Sequence, residues 1–309
     1  MYSIEGKRVW VAGHSGLVGS AVLRQLGAYN CKVLTASHSE LDLTRQSDTE
    51  AWIDAHKPDA VILAAAHVGG IHANNTYPAD FIYRNLAIAQ NVIHASYKQN
   101  VEKLLFLGSS CIYPRQALNP IQEDMLLTGS LESTNEPYAI AKIAGIKLCQ
   151  SYRRQYGCDY ISAMPCNLYG EGDTYDLQNS HVIPALIMKV HNAKRDGDDH
   201  VEMWGNGTPR REFLHVDDLA RGLIHILRHY SDIEPINMGA GADVSIMDVM
   251  QTVCDVIGYQ GEIVRNTSMP DGVMQKLMDS SKIQALGWTP EIDLREGIQR
   301  AYDDYLKRY

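Results

Sequence analysis

The run Val9-Trp10-Val11-Ala12-Gly13-His14-Ser15-Gly16-Leu17-Val18-Gly19 decides the fold of this chain. Four apolar residues of strand character end in three glycines spaced three apart, and from residue 16 onward apolar residues recur every three or four positions. The pattern is strand, tight turn, helix. Glycines at such a turn let the backbone approach a pyrophosphate, whose charge sits on the free N–H groups of the helix N-terminus. On this reading Gly13, His14, Ser15, Gly16, Leu17, Val18 and Gly19 form a dinucleotide cradle. A bare tight turn is the alternative, and the strand before it and the helix after it weigh against that.

Outward from this point, short β-branched runs alternate with longer amphipathic stretches. Strands are expected at residues 9–12, 32–36, 60–66, 103–108 and 160–165, and helices at 16–26, 48–56, 78–100 and 138–156. Such alternation marks a parallel sheet with helices on both faces, so the fold class is α/β, a Rossmann-type doubly wound sheet. Beyond residue 170 it decays into helices at 182–193, 216–228, 246–257 and 294–307, with short strands near 201–204 and 235–238. We expect a dinucleotide-binding domain over 1–170, to which residues 211–240 return, and a smaller mixed α/β substrate-binding lobe over 171–309. No Pro/Ser/Gly-rich linker separates the two, so the lobes should interleave.

A chain of 309 residues can bury a substantial core without disulfides or a metal. Its 45% hydrophobic and 21% charged residues are ordinary for a globular enzyme, which sets aside disordered and fibrous classes. The apolar run at 61–66 falls far short of the ~20 residues a membrane span needs, and 1–8 lack the apolar region of a signal peptide. A cytoplasmic location with no membrane contact is expected. Six cysteines without a CxxC pair read as reduced thiols, with no zinc site. A net charge of -9 argues against nucleic-acid binding, yet local arginines such as Arg210 and Arg211 can still grip a small anion.

The tip of the second strand separates NAD from NADP, because a carboxylate there binds the ribose 2′-OH whereas hydroxyl or basic groups accept a 2′-phosphate. Here the tip reads Thr35-Ala36-Ser37-His38-Ser39, with Glu40 and Asp42 following, which favours NADP; a polar loop without a role stays open. Further on, Tyr138-Ala139-Ile140-Ala141-Lys142 places a phenol and an ammonium one helical turn apart on one face. Such a pair can reduce a carbonyl. The ammonium should favour the phenolate and lower the phenol's pKa from ~10, making it a usable proton donor to a nascent alkoxide. Ser109-Ser110, at the end of the fourth strand, can hydrogen-bond the same carbonyl.

Gly13-x-x-Gly16-x-x-Gly19 together with Tyr138-x-x-x-Lys142 resembles the extended short-chain dehydrogenase/reductase family. Five further blocks narrow the resemblance: Ser109-Ser110-Cys111-Ile112-Tyr113-Pro114, Asn135-Glu136-Pro137-Tyr138, Asn167-Leu168-Tyr169-Gly170, Asn179-Ser180-His181-Val182-Ile183-Pro184 and Arg211-Glu212-Phe213-Leu214-His215-Val216-Asp217-Asp218. These are similar to the bifunctional GDP-L-fucose synthase branch and span nearly the whole chain. That branch epimerises C3 and C5 of GDP-4-keto-6-deoxy-D-mannose and then reduces C4 with NADPH. The resemblance therefore implies NADP as cofactor, a GDP-sugar as substrate, and a homodimer paired through the helices at 78–100 and 138–156.

It also implies roles. A 4-keto group acidifies the protons on C3 and C5, so one group must remove a proton and another return it to the opposite face. Cys111 is the implied base, its thiol needing only modest lowering from ~8.5, and His181 the implied acid. Ser109, Tyr138 and Lys142 complete the catalytic set. For the nucleotide diphosphate the resemblance points to Arg211, with Lys189 and Lys276 as further cations, and to Asn167; Trp204 offers an indole for stacking or packs the lobe. Taken alone, a cysteine is usually a small buried hydrophobe, a histidine a cap or surface residue, and a lysine solvated charge. The chain departs from familiar bacterial members in having Ser15 in the glycine turn and no arginine near His38. Rival readings are a dehydratase or C4-epimerase with tightly held NAD, or a non-catalytic NADP-binding regulator. The pairing of Cys111 with His181 argues against the first, and the intact Ser109, Tyr138 and Lys142 against the second.

Overall fold

In the computed structural model, which describes residues 1–176, 180–268 and 273–309, strands and helices alternate from the first turn onward. The order is β1 (Arg8–Ala12), α1 (Leu17–Leu26), β2 (Lys32–Leu34), α2 (Gln46–His56), β3 (Ala60–Leu63), α3 (Ile71–Thr76), α4 (Pro78–Lys98), β4 (Lys103–Leu107), α5 (Glu136–Tyr156), β5 (Asp159–Pro165) and β6 (Asn167–Tyr169). There follow α6 (Val182–Asp196), β7 (His200–Trp204), β8 (Arg210–His215), α7 (Val216–His229), β9 (Ile236–Met238), β10 (Asp243–Ser245), α8 (Ile246–Ile257), β11 (Glu262–Asn266), β12 (Gln275–Lys276), α9 (Ser281–Ala285) and α10 (Leu294–Arg308).

Six strands form one parallel sheet in the order β2-β1-β3-β4-β5-β9. Its central strands are buried along their length, which is why they read as unbroken apolar runs rather than alternating ones. The chain passes from β1 to β2 on one side and then to β3 on the other, so the carboxyl ends of β1 and β3 diverge into a crevice. The strands expected to reach residues 36 and 66 stop at Leu34 and Leu63. Beyond Leu63 the backbone bends against the glycine turn, where a Cβ on Gly13 would lie 2.5 Å from the Ala65 nitrogen.

Of residues 211–240, β8 lies in a second sheet with β6, β10 and β12, α7 packs on α1, and β9 is the last strand of the main sheet. The sequence pattern anticipates none of the four strands of this second sheet. In β8 the inward pattern of Glu212 and Leu214 is hidden by the adjacent Arg210 and Arg211, and the others are three residues or fewer. A separate core joins α6, α8 and α10 through Ile183, Ile187, Val190, Val249, Val253 and Ile298. Among the described residues no helix is long and apolar enough to cross a membrane.

Candidate active site

The glycine turn is built for a close approach. Gly13 has φ +87, a conformation that only glycine adopts without strain, and a Cβ on Gly19 would lie 2.0 Å from the Gly13 oxygen. Gly16 is different: a Cβ there would meet nothing nearer than 3.6 Å, so its bare face opens outward at the head of α1. That helix has no side-chain cap and no acidic residue in its first turn, leaving its N–H groups for an anion. Beside them His14 Nδ1 is buried and has no hydrogen-bond partner among the described residues. These residues fit a dinucleotide pyrophosphate.

The β2 tip carries a feature the composition of the loop did not reveal. Glu40 accepts hydrogen bonds from Ser37 N–H and Ser37 Oγ, both at 2.7 Å, which hold its carboxyl below the usual range with help from nearby His14. An ionised carboxylate thus occupies the donors that a 2′-phosphate would seek.

Tyr138 and Lys142, two of the residues expected to be catalytic, are brought to the end of β4 because α5 lies tight against that strand. Gly145 permits this: a Cβ there would sit 2.2 Å from the Phe106 ring. Lys142, 4% exposed, consequently donates to the Leu107 carbonyl at 2.8 Å, with its ammonium 5.7 Å from the centre of the Tyr138 ring. Ser109 caps the short 3-10 turn Ser110–Ile112 by accepting from the Cys111 N–H at 3.3 Å. The expected lowering of the Tyr138 pKa by Lys142 is not found. Burial dominates instead, assisted by Cys111, and raises the phenol above its ordinary value, while burial brings Lys142 itself down to about 8. Nor is the Cys111 thiol lowered: burial pushes it up while Lys276, Ser109 and Lys142 pull it back.

His181 precedes α6, exposed to solvent, with its pKa lowered by the surrounding protein; no hydrogen bond or ion pair among the described residues joins it to Cys111. Asn179 of the same block lies outside the described residues. Arg211 and Lys276 stand opposite each other in the pairing of β8 with β12. Arg210 is paired with Asp243 at 2.8 Å, whereas among the described residues the Arg211 guanidinium donates only to the Arg210 carbonyl, and burial lowers the pKa of both Arg211 and Lys276. Asn167 spends its amide N–H on the Glu212 carbonyl at 2.9 Å, holding β6 to β8.

Trp204 is 48% exposed, so it does not pack the lobe; its N–H donates to Glu202, and the Lys189 ammonium lies 4.3 Å from the ring centre. Two polar groupings went unremarked in the sequence. One is the carboxylate of Glu212, buried behind Arg211. In the other, Glu171, His215 and Asp217 lie close enough to suit a metal, but Glu171 contacts His215 at 3.1 Å, Asp217 pairs with Arg24, and the Asp217 N–H donates to His215 Nδ1.

Comparison with known proteins agrees with this architecture. Residues 9–239 match the model of the NAD dependent epimerase/dehydratase family. A GDP-L-fucose synthase of Sinorhizobium fredii is 54% identical over 99% of this chain and 98% of its own length, and GDP-L-fucose synthase 1 of Arabidopsis thaliana is 55% identical over 99% and 95%. The crystal structure of a GDP-L-fucose synthetase from Naegleria fowleri bound to NADP superposes with a TM-score of 0.93 at 26% identity, covering 100% of this chain and 97% of that one. The chain belongs to the NAD-dependent epimerase/dehydratase family and, within it, groups with the GDP-L-fucose synthases.

Proposed function

We infer that this protein is an NADP-dependent epimerase/reductase that converts GDP-4-keto-6-deoxy-D-mannose to GDP-L-fucose. The observation that carries the chemistry is the placing of Lys142 5.7 Å from the Tyr138 ring and 2.8 Å from the Leu107 carbonyl, at the end of the strand that leads into the Ser109-capped turn holding Cys111. NADPH, when bound, supplies the hydride for C4. Arg211 and Lys276 take the diphosphate, with Lys189 as a further cation, and Trp204 offers its indole to the base. Ser109 and Tyr138 polarise the ketone, which acidifies C3 and C5. Cys111 removes a proton from the sugar, with the positive charge of Lys276 and Lys142 favouring the thiolate, and His181 returns a proton from the opposite face. In the reductive step Tyr138 gives its proton to the oxygen at C4. A phenol kept neutral by burial is in the form that can donate.

We further propose that two copies pair through α4 and α5, which leave Tyr83, Ile140 and Tyr156 exposed. A cytoplasmic location suits Cys111, whose thiol must stay reduced to act as a base.

Epimerisation can be tested apart from reduction. In D2O without reductant, the wild type should wash deuterium into C3 and C5 of the 4-keto sugar. Cys111→Ala should lose that exchange, while Tyr138→Phe should keep part of it and lose reduction. Exchange by Cys111→Ala at the wild-type rate at both carbons would remove the thiol from the mechanism.

A further inference from the structure

Glu212 is 1% exposed and makes no ion pair among the described residues, although Arg211 precedes it in sequence. Strand alternation turns its side chain away from the diphosphate face and into the junction behind it. There one oxygen accepts the Gly241 N–H at 2.8 Å and the other the Met278 N–H at 3.1 Å. The neighbouring glycine is shaped to this carboxylate: a Cβ on Gly239 would lie 2.2 Å from its Oε1. Gly239 directly follows β9, and Met278 stands two residues beyond Lys276 on the segment that pairs with β8. One side chain therefore fastens three segments that touch nowhere in sequence.

A second tie runs alongside. Asn237 donates to the carbonyls of Ile121 and Asp279 and accepts from the Tyr113 hydroxyl at 2.6 Å, linking the Lys276 segment to the loop that carries Cys111. A buried carboxylate without a cation is costly unless several N–H groups converge on it, and an apolar side chain would leave those N–H groups without acceptors. The arrangement holds the segment after β12, a strand of only two residues, which has little ladder of its own.

We propose that Glu212 is a positioning residue for the epimerisation and diphosphate site: by binding the backbone at Gly241 and Met278 it holds Lys276 beside Arg211, and with the Asn237 tie it holds that segment against the loop that carries Cys111. The proposal rests on the reading of Arg211 and Lys276 as substrate cations. Glu212→Gln keeps the volume but offers an amide donor to one of two backbone donors. It should raise the KM for the GDP-keto sugar about tenfold, leave the KM for NADPH within about twofold, and slow alkylation of Cys111 by iodoacetamide, with the pH profile of that alkylation displaced upward. Gly239→Ala, which crowds the Glu212 carboxyl group without altering its chemistry, should act the same way.

Lys276→Met and Arg211→Met separate the two layers. If they leave the sugar KM unchanged, the cation reading fails; if they raise it while Glu212→Gln moves neither the sugar KM nor Cys111 alkylation, the positioning role fails. A parallel loss of NADPH and sugar binding in Glu212→Gln would make the residue merely structural and overturn the proposal. Should both variants misfold, hydrogen exchange on the wild type decides: amides at 241 and 278 are expected to be protected as well as those of β9, and exchange at loop rates would refute the tie.

Discussion

Replacing Lys142 with methionine should abolish reduction and yet relieve the folded protein of a buried charge. The lysine is 4% exposed, and burial, partly opposed by Cys111, takes its ammonium from 10.5 to about 8. At about 1.4 kcal/mol per pH unit, that fall corresponds to about 3 kcal/mol of destabilisation while the group is charged in both folded and unfolded chains. The sign follows from the proton count. Below pH 8 both states hold the proton and the penalty is complete; as pH rises from 8 towards 10.5 the folded state releases its proton first, so wild-type stability rises relative to the variant. At neutral pH the variant also orphans the Leu107 carbonyl, costing about 1–3 kcal/mol, so the net change there is small. The pH dependence of the difference isolates the charge, because the lost hydrogen bond contributes equally at every pH. For a chain of 309 residues, an unfolding entropy of about 2.1 cal/mol/K per residue converts 3 kcal/mol into a relative Tm shift of about 5 °C. Thermal melts of both proteins from pH 7 to 10.5 measure it. A difference in Tm that stays flat within about 1 °C across that range would refute the assignment of the depressed pKa to burial.

Gly19→Ala should abolish NADPH binding, measured by fluorescence titration, since its Cβ would fall 2.0 Å from a backbone oxygen that cannot move aside without opening the turn; unchanged affinity would mean the turn is not the cofactor cradle. Glu40→Gln should raise kcat/KM for NADPH several-fold and leave NADH nearly unaltered, because it removes the negative charge held on Ser37; an unchanged NADPH-to-NADH ratio would take Glu40 out of cofactor choice. Light scattering at micromolar concentration should give the mass of a dimer, and Tyr156→Glu should shift it towards the monomer; a wild-type monomer with full activity would remove the case for pairing through α4 and α5.

The strand, turn and helix over residues 9–26 were legible in the sequence because each depends on neighbours within a few positions: apolar runs for the strand, glycines at fixed spacing for the turn, a 3.6-residue period for the helix. The same period placed Tyr138 and Lys142 on one face. What those groups do to each other was not legible. The sequence suggested that the ammonium would lower the phenol; the packing of Gly145 against Phe106 instead buries Lys142 and half-buries Tyr138, and desolvation outweighs an attraction acting over several ångströms.

Side-chain type alone could not distinguish Arg210 from Arg211, since the difference lies in Asp243, brought alongside Arg210 by antiparallel pairing of β10 with β8. Lys276 reached Arg211 through a strand of two residues, too short to leave a periodic signal, and Glu212 looked like one more charge in a charged run. Sequence by itself determined the glycine turn, the parallel sheet and the placing of Tyr138 and Lys142 on one helix face, because these follow from local periodicity. Only the tertiary structure decided which charges are paired, which are buried and which face one another, because dielectric environment and strand register are set by segments far apart in the chain.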